Sequence, residues 1–547
     1  MDSGGPEVPA ATAAAEVLKF GAGVNRHRND LLPVLALALL GSFAFVRLMA
    51  LPAFEDEGTQ LRGMWRLIEA GEWLRPLGEG KPLEAWLMAP LARLGGQPLA
   101  AIRALHVLAG MIGAVLTYRL ARRLADRWAA FTCGVLFALC PFVVYLQRLA
   151  LSDIFLCTAG IWVLVSTLEL IQFPKWTRAA ALAASLVLAA FCKFPVGFVF
   201  LASMPLALVL LPSHERRTLL HWSRGSGDVP GGDRPALAKM LAAYAPVALL
   251  ALVVAVVAIV RLGRGQPPGF GLQDLVGVGM GQYQDIATAM GVHRPNLVDE
   301  LTTQLSWPVV ALALIGLAAS ALSRDWRLRW LIAVGALPML GIGLLARFWY
   351  SRYLLFTLPP LIIAAVSGWR RLSQHAGQLR LPVELAVLIV CAGFMGHQSA
   401  LLILDPAAAS WSPVDRFQYF EGWTSGYGYP EAARFVLEAR DAPQTIYSLD
   451  GHSAYQLRNY LPAQWGSRVR PIFYGPDGKV LLSEAARWEN LLNSTPAWII
   501  IPEPLLQTYL DSSFGRMNSG QISPRRIALF DKPGSRTRLA IYEVTQR

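Results

Sequence analysis

The stretch LLPVLALALLGSFAFVRLMALPAFEDEGTQLRGMW, Leu31 to Trp65, holds an apolar run closed by three acids, Glu55, Asp56 and Glu57. A helix that crosses a bilayer needs roughly 20 mostly apolar residues, and the first part of the stretch meets that length. An amphipathic segment then follows the acids. Two readings of the acids are open: they mark the outer end of a span, or one of them does chemistry.

The rest of the chain supports the span. Of 547 residues, 54% are hydrophobic and only 16% charged, against roughly 25% charged in soluble domains. The net charge is +12. In a polytopic membrane protein such an excess sits in cytoplasmic loops. No stripe of Lys and Arg interleaved with aromatics appears, so no nucleic-acid partner is expected. The five cysteines, Cys133, Cys140, Cys157, Cys192 and Cys391, all lie in or beside apolar runs. They show neither zinc-ligand spacing nor a CxxC motif. The first residues are rich in Ala, Gly and Pro and are expected to form a disordered tail, not a cleavable leader.

About eleven segments have the length and composition of spans. They fall near residues 31–51, 99–119, 129–146, 154–171, 179–193, 196–212, 241–262, 306–322, 330–346, 353–368 and 382–404. The fifth and sixth are short enough to be one pair interrupted at Lys193-Phe194-Pro195. Basic loops alternate along this series: NRHRND before the first span, RLARRLADR after the second and PKWTR after the fourth. HERR with a Gly-rich loop follows the sixth, SRDWRLR the eighth and WRRLSQHAGQLR the tenth. All fall on one side. The positive-inside rule makes that side cytoplasmic, which puts residues 1–30 inside as a tail and the acids outside. The loop Gly263–Ser306 and residues 405–547 also fall outside, in a multi-pass membrane protein. Residues 405–547 change character. QTIYSL and RLAIYEV read as strands, EAARFVLEA and SEAARWENLLN as helices, giving a small extracytoplasmic α/β or α+β domain. No internal repeat is visible.

In the first outside loop, residues 52–98, Leu61, Met64, Trp65 and Ile68 recur at helical spacing. After a break at Gly71, Leu83, Trp86, Leu87, Pro90, Leu91 and Leu94 form a second stripe. Two such helices would lie in the membrane interface, with the acids at one end and Lys81 in the connector. An acid and a lysine at headgroup level suit transfer from a lipid-phosphate donor. The cation stabilises the leaving phosphate and the carboxylate deprotonates the acceptor. The plainer reading is snorkelling and solvated charge, which is common at span ends. A transporter or flippase would place its informative charges near the midplane, with repeat symmetry; a scaffold gives no reason for Asp56 and Lys81 to share a loop. No nucleotide-phosphate loop or soluble DxD signature points to a nucleotide-sugar donor.

An ordered set of motifs narrows these readings. The first loop carries Asp56-Glu57, then Gly71-Glu72-Trp73, then Lys81-Pro82-Leu83-Glu84-Ala85-Trp86-Leu87. LQRLALSDIFL follows the third span, then FCKFPVG, FWYSRYLLFTLPPL and DRFQYFEGWTSGYGYPEAARFVL. This set resembles the family 39-type glycosyltransferases of the GT-C superfamily, relatives of the protein O-mannosyltransferases and of lipid A aminoarabinose transferase. Leu83, Glu84 and Phe194 depart from that family's usual residues.

The resemblance implies a polytopic α-helical GT-C-like fold whose catalytic part is residues 31–404. It implies an inverting transferase that moves a sugar from a polyprenyl-phosphate donor to a lipid, glycan or protein acceptor outside the membrane. Asp56 would be the base, with Glu57 its rival, and Asp153 would bind acceptor or a cation, or cap its helix. Lys81 would contact the donor phosphate, with Arg352, Lys193 and Arg148 as weaker partners and Tyr353 lining the pocket. No cofactor is required; a divalent cation near Asp56 and Asp153 is left open. His106 and His397 read as structural. Pro430 reads as a first helical residue, at a helix start that anchors the outer domain.

Overall fold

The structure, a computed structural model, describes residues 30–546 apart from 72, 75, 78–79, 94–97, 217–235, 264–285, 346–349, 440–442, 444, 449–450, 463–464, 466–467, 472–495, 504, 507–521 and 535–536. The N-terminal tail, Glu72, the Gly-rich loop after HERR and the helix expected over SEAARWENLLN lie outside the described residues.

Each expected span contains helix, although the first ends at Phe45, short of the expected Leu51. α1 is Leu31–Ser42; α2, Glu55–Ala70, and α3, Pro82–Arg93, occupy the first loop. There follow α4 (Pro98–Arg122), α5 (Arg127–Leu139), α6 (Pro141–Leu146), α7 (Asp153–Gln172), α8 (Trp176–Cys192) and α9 (Ser203–Leu210). The series continues with α10 (Ala236–Gly263), α11 (Ile286–Leu305), α12 (Trp307–Leu322), α13 (Trp326–Leu345), α14 (Leu358–Ser373) and α15 (Arg380–Leu404). The third expected span is split at Cys140, because Pro141 has no N–H to continue α5. Lys193 interrupts the next pair in an extended conformation, followed by a turn at Phe194–Gly197. Among the described residues, α4, α7, α10 and the stretch 351–404 are long and apolar enough to cross a bilayer. α11 and α12 join them as a pair bent by 106°. The loop expected over Gly263–Ser306 is thus partly helix, since α11 fills its second half.

Small residues let the helices approach closely. A Cβ on Gly368 would sit 1.8 Å from the Gly316 carbonyl oxygen, and Ser320 donates to Ala364 O at 2.6 Å, so α12 and α14 meet backbone to backbone. The five cysteines are buried and unpaired.

Ion pairs gather the basic loops at one end of the bundle. Asp30 meets Arg122 at 3.5 Å; Glu169 pairs with both Arg123 and Arg178; Arg370 pairs with Asp126, and Arg371 with Asp325 at 2.9 Å. Loops separated by some 250 residues thereby share one surface, as alternating spans require. Arg103 lies 19 residues before Arg122 on α4, roughly 28 Å along the axis, which is close to the hydrocarbon thickness of a bilayer. The acids sit at the Arg103 end. The chain is a multi-pass membrane protein with a small sheet domain at its C-terminus.

Among the described residues, that domain has α16 (Tyr429–Glu438), α17 (Gly451–Arg458) and five strands. The strands are β1 (Ile446–Ser448), β2 (Val469–Pro471), β3 (Ala497–Pro502), β4 (Ile522–Asp531) and β5 (Arg538–Gln546), in sheet order β2-β1-β3-β5-β4. β1 lies parallel to β2 and β3, and β5 antiparallel to β3 and β4. β3, AWIIIP, is buried throughout, as a central strand must be. β4 contains Pro524 and two arginines and takes an edge, where a missing N–H and charges are tolerated. α16 starts as expected, with Pro430 in its first turn and Gly428 before it at φ 91°.

Candidate active site

α2 begins at the acids because α-helices favour negative charge in the first turn. Neighbouring helical residues point about 100° apart, and here that separates the fates of Asp56 and Glu57. Glu57 is fully buried. Its carboxylate accepts from the Phe54 N–H at 2.9 Å, closing one half of a capping box. It also accepts from Arg103 Nε at 2.9 Å and Nη2 at 2.7 Å, a bidentate pair, and from the Ala150 N–H at 2.6 Å. Both oxygens are taken, so Glu57 serves as a clamp. It ties the start of α2 to α4 and to the loop that leads into Asp153.

Asp56 stays one-third exposed and pairs with Arg352. Arg352 stands on the helical turn Ser351–Thr357 that opens α14, its guanidinium 4.3 Å from the Tyr350 ring centroid and 5.8 Å from those of Phe54 and Tyr353. Asp153, the first residue of α7, pairs with Lys193 at 3.1 Å. The break after α8 frees Lys193 from the helix, and its Nζ lies 4.5 Å from the Tyr353 ring centroid. Lys81 is brought in by the backbone: the Phe194 N–H donates to Gly80 O at 2.8 Å, which sets the turn before α3 beside the break after α8. Trp86, edge-on to Phe191 at 5.8 Å, packs the same seam.

Five charged groups from four distant segments thus converge. Burial pushes the Asp56 carboxyl up, but Arg352, Lys81 and Lys193 outweigh it and hold the group below its ordinary 3.8. Asp56 is therefore ionised at neutral pH, and the attraction it contributes to the fold is lost only as pH falls through that lowered value. Three cations act on both carboxylates. The balance is one positive charge, beside the rings of Phe54, Tyr350 and Tyr353.

The geometry does not gather every expected residue. Arg148 is buried elsewhere, donating to Leu402 O near the end of α15 at 3.3 Å and to Arg47 O in the segment after α1 at 2.7 Å. Asp56 and Asp153, the carboxylates that could hold a divalent cation, are here each paired with a cationic side chain, Arg352 and Lys193. The second amphipathic stripe is split, with Leu83, Trp86 and Leu91 half-buried. Ala85, Met88, Ala89 and Ala92 pack inward, whereas Leu87 and Pro90 are exposed. In a membrane interface the large apolar side belongs to lipid and the small side to the protein.

Other residues escaped the sequence reading. Tyr350 stacks on Arg352. Arg103 holds Glu57; its signal is a charge inside an apolar helix. His106, read as structural, has Nε2 3.2 Å from Glu84 Oε1, with both side chains buried.

The C-terminal domain reaches the same loop. Ala53 N donates to the Tyr460 hydroxyl at 2.5 Å, Gln456 Nε2 donates to Ala53 O at 3.2 Å, and Glu55 N donates to Thr424 O at 3.0 Å. A Cβ on Gly426 would lie 2.0 Å from Ala53 O. Gly426→Ala is therefore expected to displace the start of α2 and slow the site's chemistry roughly 10–100-fold. Gly396→Ala, with nothing within 4 Å, should leave the rate unchanged in the same assay.

The architecture has known counterparts. ArnT from Cupriavidus metallidurans in the apo state superposes with a TM-score of 0.58 at 15% identity, over 97% of this chain and 98% of that one. The chain has the GT-C fold. The same protein bound to undecaprenyl phosphate gives 0.58 at 16% identity, over 93% and 97% of the two chains. The Archaeoglobus fulgidus oligosaccharyltransferase in complex with Zn and sulfate gives 0.52 at 11% identity, over 94% of this chain and 73% of that one. The family model for dolichyl-phosphate-mannose-protein mannosyltransferase matches residues 76–223, a segment that holds Lys81, Asp153 and Lys193. No curated protein matches the chain by sequence.

Proposed function

We propose that this chain is an inverting glycosyltransferase that moves a sugar from a polyprenyl-phosphate donor to a lipid, glycan or protein acceptor on the extracytoplasmic face. The carrying observation is the convergence of Asp56 and Asp153 with Lys81, Lys193 and Arg352. The net positive charge suits a phosphate, the aromatic walls suit a sugar or prenyl unit, and Asp56 is ionised and open enough to meet an acceptor. Residues 31–404 would be the catalytic membrane part and residues 405–547 an outward domain braced against the Asp56 loop. The alternating basic loops support that orientation. The undecaprenyl phosphate held by ArnT supports the donor class.

In this mechanism the acceptor oxygen attacks the anomeric carbon from the face opposite the phosphate. The bond from that carbon to the phosphate oxygen breaks, and the electron pair leaves with polyprenyl phosphate. Lys81, Lys193 and Arg352 stabilise the growing charge on the phosphate. Asp56 accepts the acceptor's proton late, as the attacking oxygen becomes positive and acidic, so a weak base suffices. Asp153 holds Lys193 in place and offers its second oxygen to the acceptor.

The test supplies membranes containing the protein with radiolabelled polyprenyl-phosphate sugars and a panel of acceptors. Lys81→Met is expected to raise KM for the donor and lower kcat together, since the lysine meets the phosphate before and during bond breaking. Labelled donor that crosses the bilayer without any transfer, across the panel, would favour a flippase instead.

A further inference from the structure

Behind the Arg352 turn lies a second group of acids that the transfer chemistry does not use. Glu300 of α11 is fully buried, and neither carboxylate oxygen has a hydrogen-bond donor. Beside it stand Asp415, Gln304 and Ser412. Asp415 is 1% exposed and Gln304 3%, and Asp415 Oδ1 and Gln304 Oε1 are likewise without donors. Ser351, the residue before Arg352, bonds Asp415 through its side chain. Four buried acceptor oxygens therefore lie in one cluster without a well-aligned hydrogen-bond donor, although the Ser412 hydroxyl and the Gln304 amide stand close enough to interact with Glu300.

Leaving such oxygens unsatisfied is costly, and two unpaired buried carboxylates cost most of all. A single proton shared between Glu300 and Asp415 would serve one oxygen of each. The Gln304 carbonyl would remain orphaned, and the second Glu300 oxygen would have only the poorly aligned Ser412 hydroxyl and Gln304 amide beside it. A doubly charged cation balances both carboxylates and draws on the amide oxygen as well. An all-oxygen set with a neutral amide and a nearby hydroxyl is the chemistry of Ca²⁺ or Mg²⁺, not of zinc.

We propose that Glu300, Asp415 and Gln304 hold a hard divalent cation that braces the Arg352 turn against α11 and the segment leading into the C-terminal domain. The site is separate from Asp56 and Asp153, whose carboxylates are already paired with cations. Its role is structural: Arg352 is carried on the residue next to Ser351, so the cation keeps that guanidinium in register with Asp56.

The test needs no glycosyl transfer. The full chain, purified in nanodiscs and stripped with EDTA, is titrated with Ca²⁺, Mg²⁺ and Mn²⁺ while thermal unfolding and Mn²⁺ electron paramagnetic resonance are followed. The wild type should bind one Mn²⁺ and gain at least roughly 2–4 °C in unfolding midpoint at saturation. Asp56→Asn with Asp153→Asn should behave the same. Glu300→Gln and Asp415→Asn, which conserve volume, should each lose both the bound Mn²⁺ and the shift. Failure of the wild type to bind Mn²⁺, or binding that survives Glu300→Gln and Asp415→Asn, would overturn the proposal. So would loss of binding only in the Asp56/Asp153 variant. A wild type insensitive to all three ions, in which Glu300→Gln is as stable as the parent, would assign the pair to a shared proton.

Discussion

Replacing Asp56 by asparagine is expected to lower transfer by about 10²–10⁴-fold, the range for removing a positioned general base. The fold should survive, because Asp56 is one-third exposed and contributes one ion pair. The informative measurement is the pH dependence of single turnovers. With Asp56 held below 3.8 by its cationic neighbours, the wild-type kcat/KM should stay flat through neutral pH and fall only under strongly acid conditions. Once a donor phosphate neutralises Lys81, Lys193 and Arg352, the same carboxyl loses part of that support. The acid limb of kcat should therefore lie at higher pH than that of kcat/KM. Undiminished turnover in the Asp56→Asn protein would remove this carboxylate from the mechanism.

The second large effect falls on its neighbour and is of another kind. Glu57→Ala leaves Arg103 buried without a counter-ion and strips acceptors from Phe54 and Ala150, and truncating one partner of a buried pair costs roughly 3–5 kcal/mol. The expected result is a lowered unfolding midpoint and loss of transfer together. Asp56→Asn loses transfer alone. Glu57→Gln keeps an acceptor for Ala150 or Phe54 and should recover part of the stability. If Glu57→Ala protein unfolds like the wild type, the clamp between α2, α4 and the Asp153 loop carries little weight.

These two residues also show how far the chain could be read by eye. Adjacent acids in one helical turn are indistinguishable by composition. Which of them faces solvent depends on where Arg103 and Ala150 arrive, 46 and 93 residues later. Lys81 and Lys193 each look like a lysine at a helix end. A backbone bond from Phe194 to Gly80 makes them neighbours, and no local pattern announces such a bond. The unsatisfied oxygens around Glu300 were silent for the same reason, since an acid in α11 looks solvated until α15 and the segment after it close over it.

What the sequence determined by itself was everything set by local composition. The run of apolar segments, basic loops on alternate connections, the break at Lys193 and the strands in QTIYSL and RLAIYEV each follow from side-chain hydropathy and backbone chemistry within a few residues. The motif order also carried the resemblance to GT-C transferases. Only the tertiary structure decided which charges meet. Ion pairing falls off over a few ångströms, and the partners of Asp56 and Asp153 lie 296 and 40 residues away. It was also packing, not the apolar stripe, that turned the small side of α3 inward, because lipid accepts large apolar groups that water would have driven into the core.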